Sequence, residues 1–253
     1  MIFERPPWHP GKNLAGTELE WLPTDTKENF DKLMQDSKHR QYFHDKGWDQ
    51  PGAITYRFNT QGFRSEEFVP GDWILAMGCS YTMGIGLPIQ DLWPTLVGQA
   101  LGLKVANIAW PGSSADTCFR LAEYWIKRLK PKAVCMLVPP WHRIELLMDP
   151  AASIPAEVFI PHSLSKYYKD TDVFLTNWFM NEENQRLQAK RNRLAITQLA
   201  QEHNVWCCIV DSNDYMTQSR EEIEYARDYM HGGPQAHKII AEKILNDWHE
   251  RHT

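Results

Sequence analysis

No stretch of this chain approaches the roughly 18 consecutive apolar residues that a membrane-crossing helix needs. The opening "MIFERPPWHPGKN" has no apolar core after its first residues, so no secretory leader is expected and a cytoplasmic location is. Cysteine is scarce: five in 253 residues, at positions 79, 118, 135, 207 and 208. That odd number, without metal-type spacing, argues against a disulfide scaffold or a zinc knuckle. Cys135, Cys207 and Cys208 lie in apolar runs and read as buried, reduced thiols. Basic blocks are missing too. Lys and Arg number 27 against 32 Asp and Glu, a formal charge of −5, so nucleic acid is not the expected partner. There is no internal repeat and no low-complexity tract.

What is present is an ordinary globular composition, 43% hydrophobic and 23% charged, with a change of pattern near residue 72. Residues 1–70 are irregular and rich in aromatics and prolines. They hold too many aromatics for a disordered tail and read as an extension packed on the main domain, residues 71–253. A helix is expected around 26–35, capped by Thr26 or Asp25. From 72 onward, short apolar runs alternate with helical patterns. "WILAM" (73–77), "KVANIAW" (104–110), "AVCMLVPP" (133–140) and "VWCCIV" (205–210) read as strands, and 91–102, 114–130, 184–204 and 233–250 as helices. Continuous rather than alternating apolar strands predict an α/β fold: a parallel sheet with helices on both faces. Ligand sites in such sheets lie beyond the carboxyl ends of the strands, here at 78–80, 110–114, 139–143 and 211–214. The irregular stretch 145–183 is expected either to overhang that edge as a lid or substrate wall, or to be an extra helix and loop without chemistry.

Ser80 follows the first strand and precedes a glycine-rich turn, "GCSYTMGIG". Alone it fits a helix cap as well as a nucleophile. A nucleophilic serine needs a base, and the base needs a group to fix its tautomer. Asp228 and His231, three residues apart before the last helix, supply both. Asp211 and Asp214 read as turn residues, and His237 as a structural residue of the last helix.

With these blocks in order, the chain resembles the SGNH (GDSL-type) hydrolases over residues 59–253. "GCSYTMGIG" (78–86) is similar to the nucleophile block, "NIAWPGSS" (107–114) to the second block, "DYMHGGPQAHKIIAEKI" (228–244) to the D-x-x-H block, and "NTQGFRSEEF" (59–68) to a common lead-in. The resemblance implies a three-layer, flavodoxin-like sheet and ester hydrolysis by Ser80, His231 and Asp228 without metal or cofactor. It also implies an oxyanion hole using the Gly112 amide. The substrate implied is a short acyl ester, of a carbohydrate or another small polar molecule. Acyl transfer to a sugar, or a catalytically weak domain that binds glycans or a protein, are the alternatives.

Two departures stand out. Cys79 occupies a place the family usually fills with an acid. The third block, normally G-x-N-D, reads "VPPWHRIEL", without the Asn that donates to the oxyanion. Arg143 is the expected substitute, being always charged and long in reach, with a salt bridge to Glu145 as its rival role. Trp141 and His142, beside it, are expected to border the substrate.

Overall fold

The computed structural model describes residues 9–147, 156–159, 177–178, 181–211 and 224–252. Its centre is a four-stranded parallel sheet of β3 (Trp73–Met77), β4 (Lys104–Asn107), β5 (Ala133–Leu137) and β8 (Trp206–Val210), in the order β4-β3-β5-β8. The second strand in sequence lies outside the first, and the third and fourth follow on its other side. This is the flavodoxin-like order. Leu75 pairs with Ala106 on one flank and Val134 on the other, and Cys135 with Cys208.

Period-two alternation divides the strand side chains between two cores. Trp73, Leu75, Met77, Val134 and Met136 pack under α5 (Ala115–Leu129) and α6 (Glu182–Glu202). Ile74, Ala76, Cys135 and Leu137 face the opposite way, under α4 (Trp93–Leu101) and α7 (Pro234–His252). The result is three layers, helix–sheet–helix, with strands buried on both faces. That is why they read as unbroken apolar runs. Two strands stop earlier than expected, at Asn107 and Leu137, and their trailing residues form the turns at the site.

Residues 9–70 form α1 (Lys27–Leu33), α2 (Ser37–Lys46) and an antiparallel pair of two-residue strands, β1 (Glu18–Leu19) and β2 (Tyr56–Arg57). Thr26 caps α1 by accepting from the Asn29 amide, and Asp36 caps α2. Phe43, Trp48, Ile54, Tyr56 and Phe58 share a third core with Met83, Ile85, Leu87 and Leu92, which follow the candidate nucleophile. Residues 9–70 thus pack directly on the site segment.

Within the irregular stretch, β6 (Ile144–Leu147) pairs with β7 (Ala156–Phe159) antiparallel. The rest of it (148–155, 160–176 and 179–180) and Asp214 lie outside the described residues.

Candidate active site

The turn that carries Ser80 begins where β3 runs out of room. Gly78 has φ +154, and a Cβ there would sit 2.1 Å from Thr82 Oγ1 and 2.9 Å from the Leu137 carbonyl of the neighbouring strand. Only glycine allows the chain to turn so close to β5. The short helix α3 (Ser80–Met83) follows, and its cap position is Cys79. Ser80 is therefore the first helical residue and not the cap, which removes the simplest structural reason for a serine at this position. It is 7% exposed. Its own amide is one of the leading helix amides that lack an intrahelical acceptor.

Arg64 holds the turn from behind. Its buried guanidinium donates to the carbonyls of Gly84 (2.6 Å), Leu87 (2.8 Å), Thr55 (2.9 Å) and Met83 (3.3 Å) and stacks on the Tyr56 ring. Burial lowers its pKa to about 10. Arg64 belongs to the lead-in "NTQGFRSEEF", so that segment tethers the turn that follows Ser80.

Residues Trp110–Ser113 form a tight turn closed by Ser113 N–H donating to the Trp110 carbonyl at 3.2 Å. Pro111 stands at its second position and Gly112 at its third, with φ +79, the type II arrangement that calls for glycine. Nothing lies within 4 Å of a Cβ built on Gly112, so the turn faces open space. It follows β4, the sheet neighbour of β3, and therefore lies at the same carboxyl edge as Ser80. Ser114 then caps α5 in a capping box with Thr117.

Arg143 reaches this turn, its Nη1 donating to the Ser113 carbonyl at 3.4 Å. The alternative partner, Glu145, is engaged elsewhere: Arg120 grips it through Nε (2.8 Å) and Nη2 (2.6 Å), and the Thr117 hydroxyl adds a third bond. The chain lacks the expected Asn, and the guanidinium of Arg143 instead reaches Ser113, the residue after Gly112.

The loop carrying Asp228 and His231 folds back on itself through a Tyr225–Gly232 bridge. Tyr229 takes a left-handed φ of +58 to bring positions 228 and 231 together. His231 Nδ1 lies 2.6 Å from Asp228 Oδ2. The other carboxylate oxygen accepts from the Met230 and His231 amides at 3.0 and 3.1 Å. Burial pushes the Asp228 carboxyl up, but the bonds from His231, Thr24 and the Met230 amide together hold it below the ordinary carboxylate value.

This loop abuts the nucleophile turn. The Arg227 amide donates to the Gly86 carbonyl at 2.9 Å, and a Cβ on Gly86 would meet Ala226, Arg227 and Asp228 at 3.0–3.1 Å. The ring of Tyr81, next to Ser80, stands edge-on to His231 at 4.8 Å, and its hydroxyl reaches the Met230 carbonyl. His231 is 9% exposed. The structure therefore brings the Ser80 turn and the 228–231 loop into one place, with the Gly112 turn on the neighbouring strand. His237 lies apart: it is buried and its Nδ1 accepts the Trp93 amide at 2.9 Å, at the start of α4.

Trp141 and His142 line a cleft of about 650 Å³ between the exit of β5 and α6. Arg186 lies over the Trp141 ring at 4.3 Å, and Lys190 and Arg193 face the same space. Asp211, read as a turn residue, pairs with Arg193 at 3.2 Å.

Sequence reading missed Thr24, Asp25 and Arg227. Thr24 Oγ1 donates to Asp228 Oδ2 at 2.7 Å, and Asp25 binds Arg227. These contacts join segments some 200 positions apart, and neither periodicity nor a motif marks them.

No family model and no curated protein matches this chain. Several solved structures are similar to it. A putative lipolytic protein of the G-D-S-L family from Desulfitobacterium hafniense DCB-2 is 15% identical, with 67% of this chain and 95% of that one covered and a TM-score of 0.34. The psychrotrophic esterase EstA from Pseudoalteromonas sp. is 12% identical, covering 71% and 97%, with a TM-score of 0.37. A catalytic mutant of an acetylxylan esterase from Geobacillus stearothermophilus is 15% identical, covering 70% and 94%, with a TM-score of 0.35.

Proposed function

We propose that this protein is a serine ester hydrolase of the SGNH type, acting on a short acyl ester of a small polar molecule such as a sugar. The observation that carries the reading is the bond between His231 Nδ1 and Asp228 Oδ2. A carboxylate can only accept, so Nδ1 carries a proton, and in the neutral ring Nε2 is then the nitrogen with the lone pair. That is the tautomer a general base needs.

In this reading Nε2 takes the Ser80 proton as Oγ attacks the acyl carbonyl. The imidazolium is stabilised by Asp228 and then protonates the departing alcohol. Water enters by the same route, with His231 again as base, and releases the acid. The oxyanion is met by the Ser80 and Gly112 amides, with Arg143 replacing the absent Asn. Developing negative charge favours a charged donor, which forms hydrogen bonds roughly twice as strong as a neutral one. Trp141 and His142, which line the cleft at the exit of β5, would take the leaving group, a flat indole suiting the apolar face of a sugar ring.

The test is labelling with a fluorophosphonate probe together with turnover of nitrophenyl acetate and acetylated sugars. The native protein is expected to label and turn over, and Ser80→Ala to do neither while keeping its fold. Equal turnover in that variant would refute the assignment.

A further inference from the structure

Thr24 has a backbone conformation that its residue type avoids. Its φ is +75, in the left-handed region, where a β-branched side chain is a genuine outlier. Such a conformation persists only where the surroundings hold it, and it concentrates where position matters. The surroundings here are the Asp228 loop. The Thr24 hydroxyl donates to Asp228 Oδ2 at 2.7 Å. The Asn29 side-chain amide bridges the carbonyls of Thr24 and Asp228, at 3.2 and 3.1 Å. The next residue, Asp25, holds Arg227, the residue before Asp228, and Arg227 also reaches the Glu20 carbonyl at 3.1 Å.

The donors around Asp228 divide in a telling way. Oδ1 is fixed by two amides of its own loop. Among the described residues, Oδ2 receives His231 Nδ1 and one further hydrogen bond, from Thr24. Without Thr24 the oxygen that aims the imidazole would be held, among the described residues, by the imidazole alone. We propose that Thr24 is a positioning residue of the Ser80–His231–Asp228 relay, its hydroxyl fixing the carboxylate oxygen that orients His231. The segment from Glu20 to Asn29 then belongs to the functional machinery and is more than a cover for the sheet. This inference rests on the reading of Ser80, His231 and Asp228 given above.

The test compares three substitutions in the full chain. Thr24→Val keeps the shape and the β-branch and removes only the donor. Thr24→Ser keeps the donor. Thr24→Ala removes the same hydroxyl while relieving the strain at φ +75, which guards against a Val variant that fails to fold. Expected are a fall in kcat of about ten-fold or more for Val and Ala with KM little changed, a parallel slowing of fluorophosphonate labelling, and near-native values for Ser. Native kcat in folded Val or Ala variants overturns the inference, and so does an equal loss in Ser, which would make the role one of packing. A native protein that does not label, or a Ser80→Ala variant that still does, overturns the relay itself. The two failures are thus told apart by which protein shows them.

Discussion

Arg227 and Asp25 form a two-pronged ion pair inside the protein, Nε to Oδ1 at 2.8 Å and Nη2 to Oδ2 at 2.7 Å, with the side chains 2% and 1% exposed. The Tyr56 hydroxyl donates to the same carboxylate and accepts the Gly86 amide at 2.8 Å. One acid near the start of the chain is therefore bonded to the loop that carries the candidate base and, through Tyr56, linked to the turn that carries the candidate nucleophile.

Removing one partner of this pair leaves the other charged and dry. Asp25→Ala is expected to destabilise the fold by about 3–5 kcal/mol, read as a lower urea midpoint. Replacing both, as Asp25→Leu with Arg227→Met, is expected to restore a good part of that loss. A single variant as stable as the native protein would contradict the burial described.

Asp228→Asn keeps the shape of the carboxyl but offers a donor where an acceptor is needed. The imidazole then favours the wrong tautomer, and kcat is expected to fall by about four orders of magnitude. Near-native turnover of nitrophenyl acetate would remove Asp228 from the relay.

Arg143→Ala addresses the missing Asn. A donor that acts on the oxyanion matters only in the transition state, so kcat is expected to drop by about 10²–10³ with KM nearly unchanged. A lowered melting temperature with native kcat would instead make Arg143 a brace for the Gly112 turn, through Ser113.

Stability is expected to fall with acid well before the carboxylates titrate. Burial lowers the pKa of His9 to about 4 and that of His237 to about 3, from the ordinary 6.5. Above pH 6.5 both are neutral whether the chain is folded or not, and their contribution is complete. As pH falls from 6.5, the unfolded chain takes up protons that the folded chain refuses. Stability is then lost progressively, down to about pH 4 for His9 and about pH 3 for His237. Protonating His237 would also remove the acceptor for the Trp93 amide. The loss is on the order of a few kcal/mol per site and is read from urea midpoints between pH 7 and 4. His9→Phe, which keeps the stack on Phe63, is expected to flatten the slope.

The four sheet strands were legible because burial on both faces leaves an unbroken apolar signature, as in "WILAM" and "AVCML". Ser80 was singled out by where the first sheet strand stops, and Asp228 and His231 by where the last helix starts. Other features depended on contacts that no local pattern encodes. Thr26 and Asp25 were equally good caps on paper, and only Arg227, 202 positions on, shows why Thr26 caps and Asp25 does not. Glu145 looked like the natural partner of Arg143 two residues away. In β6, however, it points to α5, where Arg120 takes it.

The Thr24–Asp228 and Asp25–Arg227 contacts also govern when the site comes into being during synthesis. They close a loop of about 200 residues, an entropic cost on the order of 5 kcal/mol that is met only once the sheet has drawn the two segments close. A nascent chain that ends before the loop of residues 224–233 can already have β3, β4 and β5 in place, with Ser80 at their edge. It has no anchored acid–base pair, and residues 20–29 have nothing to grip. Chemical competence would therefore appear late and abruptly in folding, as a tertiary event that joins distant parts of the chain.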